Sequence, residues 1–418
     1  MFLKNRSICV FLYFLFLCTL LQGQDNISLT GYGEISGLVG LADFSEPEKD
    51  QRFGAALSST FRLELMPMSG ITAVLEGTAS FSGGYLNPLG RFEATGLPLD
   101  ASFVRAGDLP GADFNALFSI SQAWAAWSYN SINVSFGFIP ISWGSAWLIH
   151  PSDRVNPRNL NSLFSDETKG VPSLTVDLAL GWNFGASAYI CLTDKSSDGL
   201  VSLDEVRPDK LPFGLKFMAY PAGWEISAGF VRETISSDVF IGNNWIVADI
   251  TGNLGPFGIT AESSLLLPEK DGDWDPVDAL ELSIGGTYLV DPINLEIMVE
   301  YTHLGAGSKD PDFYDITPFL EGTALFLARD YLFSRFSWSG AEAFTVDLAG
   351  IFNLNDGSVL LLPSLEWEPL TDLVFNVGLI FPFGKDSSEF GGTRPLGPGL
   401  SWKPWDAGTV ICNMKVYY

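Results

Sequence analysis

The chain has 418 residues, and its 49 acidic against 23 basic side chains give a formal net charge of −26; a polyanion of that size repels nucleic-acid phosphates, so no nucleic-acid partner is expected. Hydrophobic residues make up 47% of it, a membrane-like content, yet past the N-terminus no uncharged apolar stretch reaches the roughly 20 residues of a spanning helix. Cysteine number 4, with Cys9 and Cys18 near the start and Cys191 and Cys412 far apart, which excludes a disulfide-built scaffold.

Lys4 and Arg6 precede an apolar run from Ile8 to Leu21, followed by Gln22, Gly23 and Gln24. That pattern predicts a signal peptide over residues 1–23, cleaved near Gly23, with 24–418 as the exported protein. Leu17 is bulky where a lipid-modified Cys18 would need a small neighbour.

From there on the hydrophobic period is two. In INLEIMVEYTHL (293–304), Ile293, Leu295, Ile297, Val299 and Tyr301 share one face, and Glu296, Glu300 and Thr302 share the other. The same alternation runs through 53–65, 71–81, 173–183, 257–266, 279–290, 343–352 and 372–381, with an acid on the weaker face in most: Glu64, Glu76, Asp177, Glu262, Glu281 and Asp347. Tight connections at 66–70, 130–131, 184–185, 221–223, 255–256, 291–292, 339–340 and 369–371 alternate with long acidic Gly/Pro-rich stretches, the longest at 83–115, 142–172 and 383–408. Short turns on one side and long loops on the other predict an all-β fold, a closed antiparallel transmembrane β-barrel with short periplasmic turns and extracellular loops. About eighteen strands are expected, with sixteen the competitor because 186–192 and 239–253 alternate weakly.

Trp182, Trp224, Phe257, Trp338, Trp367 and Tyr418 fall at strand ends on the short-turn side, where an aromatic girdle meets lipid headgroups. The chain finishes in TVICNMKVYY (409–418), a strand that runs to its last residue and needs a partner; closure onto the first strand, 27–40, supplies one. This ending, with Val416 and Tyr418, resembles the C-terminal signal by which outer-membrane barrels engage the barrel-assembly machinery.

The stretch IPISWGSAWLIHPSDRVNPRNL (139–160), followed by DETKG (166–170), resembles the Trp-Gly, Pro-x-Asp, Asn-Pro loop of porin-like outer-membrane families of Gram-negative-type bacteria, spirochaete-like ones among them. It is the third long loop and joins the fifth and sixth expected strands, as the constriction loop of general porins does. The resemblance implies that 142–172 folds into the channel, with His150, Asp153, Arg154, Arg158, Asp166 and Glu167 at the constriction. A wall rich in Glu64, Glu76, Asp177, Glu262, Glu281, Glu296, Glu300 and Asp347 then implies a cation-preferring pore for small hydrophilic solutes, with Arg154 and Arg158 facing it across the eyelet. Outer-membrane lipid and the assembly machinery are the expected partners, and the oligomeric state stays open.

Two other classes compete. A plugged barrel would use loops 83–115 and 383–408 to hold a surface partner. An enzyme would need His150 or His303, the two histidines present, beside a nucleophile or second acid; Glu300 and His303 lie on opposite faces, and no catalysis is expected. Asp271, Asp273, Asp275 and Asp278 alternate like a calcium loop, but Pro276 and Leu282 break the pattern, so no metal or cofactor is expected.

Overall fold

Strands that are apolar on both an outer and part of an inner face cannot be left with bare edges; a sheet escapes that by closing on itself. In the computed structural model this closure is complete. The structure describes residues 26–41, 51–84, 89–94, 97–100, 115–155, 170–192, 211–234, 242–268, 275–317, 325–341, 343–392, 394–397, 400–405 and 408–418. Its strands are β1 (Ile27–Leu41), β2 (Gln51–Met68), β3 (Ile71–Gly84), β4 (Leu89–Ala94), β5 (Leu97–Asp100), β6 (Asn115–Tyr129), β7 (Ile132–Ile139), β8 (Val171–Ala179), β9 (Phe184–Cys191), β10 (Phe213–Ala219) and β11 (Glu225–Thr234). The second half adds β12 (Gly242–Leu254), β13 (Phe257–Leu266), β14 (Leu280–Val290), β15 (Leu295–Leu304), β16 (Asp330–Ala341), β17 (Phe344–Asn353), β18 (Val359–Leu370), β19 (Leu373–Phe383), β20 (Arg394–Gly397), β21 (Leu400–Trp405) and β22 (Gly408–Tyr417).

All but β4, β5, β20 and β21 form one 18-stranded antiparallel barrel in which each strand pairs with the next. The weakly alternating stretches near 186–192 and 239–253 are true strands, β9 and β12, which settles eighteen over sixteen. The seam is the pairing of β22 with β1, running from Tyr32↔Tyr417 to Leu41↔Gly408. Tyr418 extends it: its amide and carbonyl exchange hydrogen bonds with Gly31 at 3.0 and 3.1 Å, and its hydroxyl donates to the Thr60 carbonyl at 3.2 Å. A Cβ on Gly31 would come 2.3 Å from the Thr60 carbonyl oxygen and 2.8 Å from the Tyr418 ring, so glycine there is required by the neighbouring backbone as well as by the terminal aromatic.

Two expectations are corrected. The connection expected at 184–185 lies earlier, at 180–183 between β8 and β9: the Leu180 N–H donates to the Phe184 carbonyl across it at 2.9 Å, and Trp182 lies within that turn, 100% exposed. The stretches 83–115 and 383–408 are more than loops, because β4 from the first pairs with β21 from the second, and β5 and β20 flank that pair in a separate sheet ordered β20-β21-β4-β5. Hydrogen bonding between two distant loops carries no periodic trace in either one.

The barrel's outward face is apolar, with Ile35, Leu57, Phe118, Phe136, Phe217, Ile246, Ile284, Val299, Phe336 and Val377 all exposed. Near the short turns it carries aromatics: Trp367 stacks between Phe344 and Phe375, Phe257 lies 5.0 Å from Tyr288, and Trp224 covers Gly252. Trp338 is exposed on the same face. The buried side chains are inside. One apolar cluster joins Ile139, Ile141, Trp143 and Val155 to Tyr189, Cys191, Val231, Trp245 and Val247; another joins Leu148 and Ile149 to Phe326, Tyr331, Ile351, Leu360, Ile380 and Phe390.

Candidate functional site: a segment docked on the inner wall

Both clusters are built around the residues that follow β7. This segment leaves the fifth barrel strand and reaches the inward faces of β13, β14 and β15, the eleventh to thirteenth. Its start is fixed by Trp143, whose ring meets Tyr189 edge-on at 4.8 Å between centroids. Gly144 follows with φ +111, and a Cβ there would sit 2.3–2.5 Å from the Glu262 carboxylate. Glycine is needed twice over, for the backbone conformation and for the close approach.

Glu262 is the anchor. Its Oε2 accepts the amides of Ser145 (2.9 Å) and Ala146 (3.0 Å), and its Oε1 accepts the amide and hydroxyl of Ser152, both at 2.6 Å. One strand farther round than Glu281, Glu300 accepts the amides of Trp147 (2.7 Å) and Leu148 (3.0 Å). Ser283 donates to the Ile149 carbonyl at 3.1 Å. A loop in a barrel interior leaves many peptide groups away from water, and buried carboxylates satisfy them with charge-assisted bonds.

Arg154 closes the segment. Its guanidinium grips Glu281 with Nη1–Oε1 at 3.1 Å and Nη2–Oε2 at 2.7 Å, hydrogen-bonds to Ser264, and lies 3.6 Å over the Trp245 ring. It therefore does not face the wall carboxylates across an eyelet, as expected from sequence. A planar guanidinium can meet a carboxylate with two hydrogen bonds and stack on an indole at once, and Arg154 does both here. His150 remains partly exposed, its Nδ1 3.7 Å from Glu262 Oε2. Burial alone would lower its pKa, but Glu262, Asp153 and Glu300 beside it leave it raised. The Asp153 carboxylate caps the Val155 amide at 3.2 Å. Arg158, Asp166 and Glu167 lie outside the described residues.

The expected wall residues divide into two sets. Glu262, Glu281 and Glu300 are buried under the segment. The others face inward elsewhere: Glu76 pairs with Arg62 at 3.1 Å, Asp347 with Arg335 at 2.7 Å, and Asp177 accepts from Ser187 at 2.7 Å, while Glu64 and Glu296 are only partly covered.

A second set of contacts was not foreseen. Glu389, in the turn region after β19, is buried and accepts from the Leu327 amide (2.7 Å), the Tyr331 hydroxyl (2.5 Å) and Asn353 Nδ2 (2.8 Å), and its own amide donates to Asp356. Burial pushes its pKa up to about 7. It fastens the residues before β16 and after β19 beside Leu148 and Ile149. Nothing in the local sequence GKDSSEFGG distinguishes this glutamate from its acidic neighbours.

No protein-family model matches the chain, and no curated protein does. Among solved structures, a mutant of Rh. blastica porin is similar over 94% of this chain and 100% of its own, at 13% identity and a TM-score of 0.44. The low-pH structure of Pseudomonas putida OprB is similar over 94% of this chain and 93% of its own, at 8% identity and a TM-score of 0.41.

Proposed function

We propose that the chain spans a bacterial outer membrane as a water-filled pore for passive diffusion of small hydrophilic solutes, narrowed by the 142–172 segment. The observation that carries this reading is the docking of residues 145–154 on Glu262, Glu281 and Glu300. A strip tied down by backbone amides at the inner wall is a fixed constriction, whereas an external loop would leave those amides to water. The outward face supports the membrane setting, since so continuous an apolar surface is rare on a soluble monomer. A signal peptide at 1–23 fits export, and Val416 and Tyr418 at the seam fit recognition by the barrel-assembly machinery.

Cation preference rests on carboxylates left open to the lumen, chiefly Glu64, Glu296, Glu366 and Glu368, because those under the segment are already satisfied and Glu76 and Asp347 have cationic partners. The test is a planar bilayer at about 0.01 M salt, where a Debye length of ~30 Å leaves fixed charges visible. Stepwise conductance is expected, and Glu296→Gln is expected to lower the cation-to-anion permeability ratio. Folded, membrane-inserted protein that passes no ions would overturn the pore in favour of a plugged, ligand-binding barrel. That second reading draws on the apolar packing of Leu148 and Ile149 against Phe326 and Phe390 inside the barrel.

A further inference from the structure

The docked segment also roofs a cavity of about 650 Å³ on the inner wall, toward the short turns. Ser145 and Trp147 form its upper border, and Glu225, Thr251, Thr260 and Glu296 are among its walls. No Lys, Arg or His lines it, and neither Glu225 nor Glu296 makes an ion pair among the described residues. Two carboxylates in one cavity without a counter-cation raise the local concentration of positive solutes.

Three further features narrow the chemistry. Trp147 is held in place: its amide is on Glu300 at 2.7 Å, and its indole rests over Gly285, where a Cβ would come within 2.6 Å of the ring. Thr260 is 8% exposed and its Oγ1 has no hydrogen-bond partner. Rotation about χ1 exchanges that hydroxyl with the methyl group, so it can be presented to an occupant without moving the strand. Among the described residues no group of His, Cys, Asp and Glu is arranged to hold a metal ion. Acids to oppose a charge, an indole to lie beside it and a hydroxyl left unsatisfied fit an organic cation better than a bare metal ion or a neutral polyol.

We infer that this cavity is a subsite for a small organic ammonium ion, with Glu225 and Glu296 opposing its charge, Trp147 beside its alkyl-ammonium head and Thr260 supplying a hydroxyl. It rests on the pore reading for the route by which the ion arrives. The experiment titrates choline chloride into the full, folded chain in detergent at low salt, by calorimetry, against sodium chloride at equal ionic strength and against sorbitol.

Saturable choline binding is expected, weakened at least tenfold in the Glu225→Gln, Glu296→Gln double variant and several-fold in Trp147→Phe, which keeps an aromatic ring on Gly285. Asp291→Asn removes a charge at the same end of the barrel outside the cavity and is expected to leave binding unchanged. Circular dichroism confirms that each variant keeps its strands. The subsite is overturned by an absence of saturable heat, by sorbitol or sodium binding as tightly as choline, by unchanged affinity in the double variant, or by an equal loss in Asp291→Asn. Conductance without choline binding removes the subsite and leaves the pore; choline binding without conductance does the reverse.

Discussion

Replacing Glu262 with glutamine changes no volume and tests whether the inner-wall carboxylates hold the constriction. The native side chain accepts four donors, two on each oxygen. An amide keeps one acceptor oxygen and puts an NH2 where the other stood. In the better orientation the NH2 replaces Oε1: the Ser152 hydroxyl turns to accept from it, and the Ser152 amide is orphaned. Leaving that buried amide unpaired costs about 1–3 kcal/mol, and the three remaining bonds each lose part of their charge-assisted strength, for a total of about 2–5 kcal/mol. At 1.36 kcal/mol per factor of ten, local opening of the segment rises roughly 30-fold to several-thousand-fold. The barrel ladder is untouched, so the damage is confined to docking. Hydrogen exchange at the Ser145, Ala146 and Ser152 amides reads the opening directly, and single-channel conductance is expected to rise and become noisier. Amide protection within about twofold of wild type, with unchanged conductance, would refute the claim that Glu262 fastens the constriction.

The other predictions concern separate joints of the same assembly. Arg154→Ala strips a buried Glu281 of its bidentate partner at a cost of about 3–5 kcal/mol to docking, and adding Glu281→Leu recovers most of it, both read by limited proteolysis of the segment. Deleting Tyr418 is expected to reduce the heat-modifiable folded fraction in cells; normal assembly without it would remove the terminal-signal argument. Glu389 has a folded-state pKa raised by burial to about 7, so its contribution to loop docking is complete below the carboxylate's unfolded pKa of about 4.3 and is lost as pH rises through 7. Exchange at the Leu327 amide is expected to speed up over that interval, with Asp356 adding repulsion to the ionised form, and Glu389→Gln is expected to flatten the profile.

The barrel was legible because membrane spanning and lumen hydration impose opposite demands on alternate residues, and INLEIMVEYTHL records both without help from the rest of the chain. The face assigned to each wall carboxylate follows from the same parity. Parity is silent on what lies over a residue, so Glu296, two positions from buried Met298 and partly open, and Glu300, wholly covered, read alike in sequence although one is left open to the barrel interior and the other holds a loop. The weak strands show the other side of this. β9 and β12 lose their alternation because Tyr189, Cys191, Trp245 and Val247 face inward and are apolar, which an open aqueous lumen would not favour. Trp143 and Val155 pack on them. The blurred period is therefore the imprint of the docked segment on the wall it packs against, and the strands most doubtful in sequence are the ones that are apolar on both faces where Trp143 and Val155 rest.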